Sequence, residues 1–283
     1  MSNQQTLAVS GYHVVQLLGS GARSTIWQVK NRADGEFAAL KRVVKRQSTD
    51  QRFLEQAFNE YEIGRDLDHP NIRRIYELRR IKKWFAVKEI HLLMEYCEGH
   101  TLQDKRPKDV VTAARIFVKV GEALTYMNSQ GIVHADMKPN NIVITPAGEV
   151  KVIDLGQSCP VGTVKKRVQG TPDFIAPEQV HRRPLDSRTD VFNFGASLYW
   201  TLTGRAIPTI LPKKGAVTLM AEQSLTPPEN HNPDVGAPLS KLVMDCVEPQ
   251  PPHRPKSMKD VLARLTLITR SLINQNGNGT RPK

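Results

Sequence analysis

The sequence predicts an α+β chain in two lobes, an antiparallel β N-lobe with one main helix followed by a mainly helical C-lobe. Three observations carry that reading. Alternating, β-branched runs fill the N-terminal part, helix-period apolar runs fill the rest, and the change falls in the stretch Glu98–Pro107. The expected division is residues 1–97 for the first lobe and 98–272 for the second, with 273–283 as a tail. A chain of 283 residues is long enough to bury a full core in such an arrangement.

Taken in order, Tyr12–Leu18, Ser24–Asn31, Phe37–Val43, Ile75–Arg80 and Ile90–Tyr96 read as short strands in hairpin order. One helix interrupts them from about Asp50 to Leu67, with Phe53, Ala57, Glu60, Ile63 and Leu67 recurring at helical steps. It stops at Asp68-His69-Pro70-Asn71, because proline lacks a donor and restricts its predecessor. Val110–Gln130, Thr189–Leu202, Leu239–Cys246 and Ser257–Leu272 read as helices. The end, Asn274–Lys283, is rich in Asn, Gly, Arg and Pro without apolar period, and is expected to be disordered or a linker.

Hydrophobic content of 39% and charged content of 24% are globular values. No run is long enough to span a membrane, the N-terminus lacks a signal-peptide pattern, and no membrane contact is expected of this segment. The three cysteines, Cys97, Cys159 and Cys246, are isolated, which argues against a disulfide framework or a thiolate metal site and fits a reducing, cytoplasmic setting. A net charge of +12 invites a nucleic-acid reading, but the basic residues fall in short scattered groups and aromatic content is only 6%, too little for a stacking platform. Phosphate binding or acidic partners would use the same charge.

The most informative segment is Gly131-Ile132-Val133-His134-Ala135-Asp136-Met137-Lys138-Pro139-Asn140-Asn141, followed by Ile153-Asp154-Leu155-Gly156. Ile142–Ile144, the turn Pro146–Gly148 and Val150–Ile153 form a predicted hairpin, which brings its two ends together. Asp136 and Asn141 are therefore expected near Asp154, and oxygen ligands of this kind suit magnesium. Singly, each of these residues is an ordinary turn former.

Leu18-Gly19-Ser20-Gly21-Ala22 places two glycines between the first two strands, where backbone amides can approach phosphate oxygens. A plain hairpin turn is the simpler reading. A dinucleotide fingerprint would have to open a helix, whereas Thr25–Val29 reads as a strand. Lys41 lies in an apolar strand and needs a partner or water. Glu60 on the helix is the expected counter-charge, with Glu62 the competitor.

Together these residues resemble the eukaryotic-type Ser/Thr protein kinase catalytic domain over about residues 12–272, and the run Gly170–Gln179 looks like that of its bacterial members. The resemblance places the glycine-rich loop at Gly19, Gly21 and Ser24, the strand lysine at Lys41 and the helix glutamate at Glu60. It places the catalytic loop at His134, Asp136, Lys138 and Asn141, and the metal-binding triplet at Asp154, Leu155 and Gly156. Ala176-Pro177-Glu178 closes the activation segment, Arg254 is the expected partner of Glu178, and Asp190 is the buried helix aspartate.

The resemblance implies transfer of the γ-phosphoryl of ATP to a protein Ser/Thr hydroxyl. Asp136 would be the base and Lys138 the cation on the transferring group. Asn141 and Asp154 would hold Mg2+, for which Mn2+ can substitute. Leu18, Gly19, Ser20, Gly21, Ala22, Ile26, Ala39, Lys41, Met94, Glu95, Cys97 and Val143 would contact the nucleotide. Thr171 would pack against Asp136 and Lys138, and Thr163 is the foremost autophosphorylation candidate, with Ser158 and Thr171 as others. The expected partner is a protein substrate, with autophosphorylation in trans. Glu98 and Asp104 hint at basic residues in that substrate, and the basic surface argues the other way. The alternative is a nucleotide-binding pseudokinase or scaffold, against which the intact Lys41, Asp136, Asn141 and Asp154 stand.

Three positions depart from the family pattern. Ala135 replaces the usual arginine before the catalytic aspartate, so strict dependence on activation-segment phosphorylation is not expected. Leu155 replaces phenylalanine and keeps an apolar plug. Gly64 replaces a bulky apolar residue on the helix, which predicts a mobile helix and a Glu60 displaced from Lys41.

Overall fold

A computed structural model describes residue 7 and residues 9–21, 23–208 and 225–278. The chain divides into two compact units, Met1–Asp68 with Ile72–Glu98, and His69–Asn71 with Gly99–Lys283.

The first unit is a sheet with one helix. Its strands are β1 (Tyr12–Ser20), β2 (Ser24–Asn31), β3 (Phe37–Val44), β4 (Ile75–Lys83) and β5 (Ala86–Glu95), in the antiparallel order β1-β2-β3-β5-β4. The helix α1 (Gln51–Gly64) packs Leu54 and Ala57 against Val43 and Ile90 of β3 and β5. Two details differ from the sequence reading. The buried face of α1 is Leu54, Ala57, Glu60 and Gly64, with Phe53 and Phe58 only flanking it. Gly64 is the last helical residue, so it carries little of the interior-glycine cost.

The second unit is mainly helical, and its short sheets position the loops. β6 (His100–Thr101), β8 (Ile142–Ile144) and β9 (Val150–Val152) form one antiparallel sheet, while β7 (Ile132–Val133) pairs with β10 (Cys159–Pro160). Gly99 enters β6 at φ +145°, where an added Cβ would stand 2.2 Å from the Ile144 carbonyl oxygen, so only glycine fits. The helices are α2 (Val110–Ser129), α3 (Pro177–Val180), α4 (Ser187–Thr203), α5 (Ala237–Cys246) and α6 (Met258–Asn278). Helix α4 is buried almost all round, and the Phe117 and Phe194 rings of α2 and α4 meet edge-on.

The helix α6 corrects the expected tail. It continues through Ile273 to Asn278, since no proline stops it and Leu272 and Ile273 stay half-buried. Residues 279–283 lie outside the described residues.

Candidate active site

In the first unit, Lys41 follows the fully buried Leu40 on β3. Its Nζ donates to Glu60 Oε2 at 2.6 Å, and the Glu60 side chain is fully buried. The pair is therefore formed, contrary to the displaced Glu60 expected from Gly64. Glu62 is exposed and reaches Arg65 instead. Arg73 Nη2 adds a second cation, 3.5 Å from Glu60 Oε1. Sequence reasoning missed Arg73, which is buried while the adjacent Arg74 is exposed; residue type does not tell the two arginines apart.

The β1–β2 turn closes with the Gly21 N–H donating to the Ser24 carbonyl at 2.7 Å. An added Cβ at Gly19 would meet nothing within 4 Å, so the packing of the chain does not itself require glycine there. Ile26 lies opposite Lys41, and Ala39 opposite Met94, both of the latter buried. Leu18 is exposed, and Ser20 ends β1. Glu95 donates its N–H to the Arg74 carbonyl at 2.9 Å, and the Cys97 thiol points to the Glu95 carbonyl at 3.9 Å. Ala22 lies outside the described residues.

In the second unit, Asp136 sits between a lysine and a threonine. Lys138 Nζ donates to Asp136 Oδ2 at 2.9 Å and to Thr171 Oγ1 at 2.8 Å, and Thr171 Oγ1 donates to Asp136 Oδ1 at 3.2 Å. Burial pushes the Asp136 carboxyl above the usual range, with the Lys138 charge opposing that rise and the Asp154 charge adding to it. His134 is fully buried, and burial lowers its pKa, so the ring is neutral; its Nδ1 accepts the Asp136 N–H at 3.3 Å.

The loop that carries these groups is held from beneath by α4. Asp190, fully buried, accepts the amides of His134 at 3.0 Å and Ala135 at 2.9 Å, and Asn128 Nδ2 at 2.8 Å. Ala135 takes φ +61°, an unfavourable region that these bonds fix. Its methyl group lies in a buried apolar cluster with Val133, Cys159 and Leu185. Gln179 Nε2 donates to the Ala135 carbonyl at 2.7 Å, Asn193 Nδ2 donates to Gln179 Oε1 at 3.0 Å, and Ser197 Oγ donates to the Met137 carbonyl at 3.2 Å. These three supports were missed, although Asp190, Asn193 and Ser197 recur at helical spacing in an otherwise apolar helix.

The hairpin β8–β9 brings Asn141 beside Asp154, because the Ile153 N–H donates to the Asn141 carbonyl at 2.9 Å. Asn141 Nδ2 is committed to the Asp136 carbonyl at 2.8 Å, which leaves Oδ1 as a possible ligand. Asp154 takes φ +63° and accepts the Gly156 N–H on Oδ1 at 3.3 Å. An amide oxygen and a carboxylate are hard donors, and this set fits magnesium, which needs few protein ligands. Leu155 is buried, as is Val143 on β8.

Glu178 and Arg254 form a bidentate pair at 2.8 and 3.0 Å, and Thr189 Oγ1 also donates to Glu178 Oε1 at 2.9 Å. Thr163 is half-buried, with Oγ1 donating to the Pro160 carbonyl at 2.6 Å. Ser158 is corrected as a modification candidate: it is fully buried and Oγ donates to the His134 carbonyl at 3.3 Å.

Comparison with known proteins agrees with this geometry. Residues 12–265 match the family model described as "Protein kinase domain". Similar proteins include a probable serine/threonine-protein kinase of Clostridium perfringens, 29% identical over 91% of this chain and 38% of its own length. Another, from Clostridium acetobutylicum, is 26% identical over 98% of this chain and 42% of its own. An Aurora kinase of Candida glabrata is 28% identical over 84% of this chain and 67% of its own. The chain thus spans about two fifths of the length of these bacterial relatives.

Proposed function

This chain belongs to the protein kinase family, with serine/threonine kinases among its relatives, and we propose that its chemistry is ATP-dependent phosphoryl transfer with the following roles for its residues. Asp136 orients a serine or threonine hydroxyl of a protein substrate and accepts its proton. The oxygen forms a bond to the γ-phosphorus of ATP as the bond to the ADP oxygen breaks. Lys138 faces the transferring group, where fixed positive charge meets the charge that develops on its oxygens. Thr171 holds both side chains in register.

Asn141 and Asp154 hold Mg2+, which when bound supplies positive charge against the phosphate oxygens. Lys41, steadied by Glu60, takes the α/β-phosphates. Gly19 and Gly21 offer backbone amides, and Ile26, Ala39 and Met94 of the same unit offer apolar surface to the adenine. The Glu95 N–H is already engaged with Arg74, so hydrogen bonds to the base fall to the Glu95 carbonyl and the Cys97 backbone.

The single observation that carries this reading is the Asp136–Lys138–Thr171 triangle, with its carboxylate buried and all three distances at or below 3.2 Å. A turn-forming aspartate would face water. The test is incubation with γ-labelled ATP, magnesium and a generic basic protein, followed by phosphoamino-acid analysis. Label on serine or threonine supports the reading. Nucleotide binding without transfer would make the chain a pseudokinase.

A further inference from the structure

The tip of the β4–β5 hairpin breaks a local rule at some cost to the fold. Lys83 pairs with Ala86, so the loop is the two residues Trp84 and Phe85. Trp84 takes φ +59°, while Phe85 does not enter the positive region. A first loop residue at positive φ is where a two-residue hairpin favours glycine, because Cβ is strained there. This chain instead carries its bulkiest side chain at that point, followed by a phenylalanine.

Neither ring compensates by packing. Trp84 is 88% exposed and Phe85 98% exposed, the two highest values among the exposed large hydrophobic residues. Folding therefore gains almost nothing from two aromatic residues at a strained turn, and their use must lie outside the unit. Catalysis is not that use within this sheet. Lys41 pairs with Leu92 on β5, and the strand runs on from there to Ala86, about 20 Å at the usual rise.

The surroundings identify the partner. Ile81, beside the tip, is 44% exposed, and Lys82, Lys83 and Lys88 are exposed. From Arg79 to Lys88 the segment contains no acidic residue. The first carboxylate after this segment in the sequence, Glu89, is held by the Arg42 guanidinium at 2.7 and 2.8 Å and by His91. The patch is thus an apolar hairpin tip flanked by lysines that make no ion pair among the described residues, on a chain of net charge +12.

We propose that the Trp84–Phe85 tip docks the chain peripherally on an anionic lipid surface. The rings enter the interface, where tryptophan is at home, and the lysines meet the headgroups. Each lysine near such a surface is worth about fivefold in partitioning. The shape favours a bilayer over a protein, since a fluid interface accepts a protruding tip without a matching pocket. This contact is distinct from a membrane span, for which no helix among the described residues is long and apolar enough. It revises the expectation of no membrane contact.

The test is flotation of the 283-residue chain with vesicles of phosphatidylcholine alone and with about a third phosphatidylglycerol, the anionic lipid setting the expected charge dependence. The parent is expected to float only with the anionic vesicles, with blue-shifted tryptophan emission. The double variant Trp84→Gly, Phe85→Ser restores favoured turn chemistry. It should keep or raise thermal stability and phosphorylate a soluble substrate as the parent does, yet lose at least about tenfold in partitioning. Lys82→Glu with Lys83→Glu should lose as much, and added salt should release the parent. Equal flotation of parent and Trp84→Gly, Phe85→Ser would overturn the proposal. So would binding to neutral vesicles alone, or self-association abolished by that variant with no vesicle binding in the parent.

Discussion

Ala135 and Asp190 are joined by a 2.9 Å hydrogen bond from the Ala135 amide to Asp190 Oδ1, and the Ala135 methyl group faces apolar neighbours on its other side. The backbone of the catalytic loop is thus fixed from within the unit by a buried carboxylate, at a position that carries no cation to read a phosphate.

Activity should accordingly be insensitive to phosphorylation of the activation segment. Thr163→Ala, or phosphatase treatment of the parent, is expected to lower turnover on an external substrate by less than about tenfold, since an exposed charge pair contributes only about 1 kcal/mol. Steady-state kinetics before and after treatment measure it. A hundredfold fall, about 2.7 kcal/mol, would assign the reader's role to a basic residue such as Lys166 or Arg167.

Lys41→Met should fold and lose most activity. Glu60 keeps Arg73 at 3.5 Å, so the buried carboxylate is not left wholly unpaired, and the cost falls below the roughly 3–5 kcal/mol of a fully orphaned charge. Circular dichroism and urea melting check the fold, while the loss of phosphoryl transfer should exceed about a hundredfold. An unfolded variant would make the lysine structural.

These two predictions rest on features of different legibility. The strands, the hairpin after Asn141 and the acids around it were readable because each is encoded locally, by β-branched alternation or by a turn between apolar arms. The Gln179–Asn193 support, and Arg73 beside Glu60, join residues of different elements with no turn between apolar arms to bring them together, and polar type alone does not say which partner is met. The face of α1 was misjudged because Phe53 and Leu54 are both apolar and only packing against Val43 and Ile90 selects Leu54. Polar composition hid the last turns of α6, whose length depends on the half-buried Leu272 and Ile273. Nothing in the pattern of Lys83–Ala86 announced a turn, since it lacks glycine, asparagine and proline.

Acid inactivation should follow Asp136. Burial raises its pKa, so the folded enzyme holds that proton to a higher pH than an exposed aspartate with the ordinary value of 3.8. The base acts ionised, and kcat/KM is therefore expected to rise with pH through a limb displaced upward from that value. Lys138→Ala removes the charge that opposes the rise, so its limb should move higher still. A pH profile of kcat/KM for both proteins reads this, and an unmoved limb would take Asp136 out of the role of base.

Asp154→Ala should abolish transfer and weaken magnesium-dependent ATP binding, because Asn141 alone cannot hold the ion. Calorimetric titration with ATP, with and without magnesium, separates the two effects. Turnover within about tenfold of the parent would remove Asp154 from the site.

The most direct measurement compares the parent with Asp136→Asn in transfer from γ-labelled ATP to serine or threonine of a protein. Asparagine keeps the size and the contact with Thr171 but cannot take the hydroxyl proton. The parent should transfer label, and the variant should remain folded, bind magnesium–ATP and lose more than about a hundredfold in turnover. Equal transfer by the two proteins, or none by a parent that binds the nucleotide, would contradict the assignment.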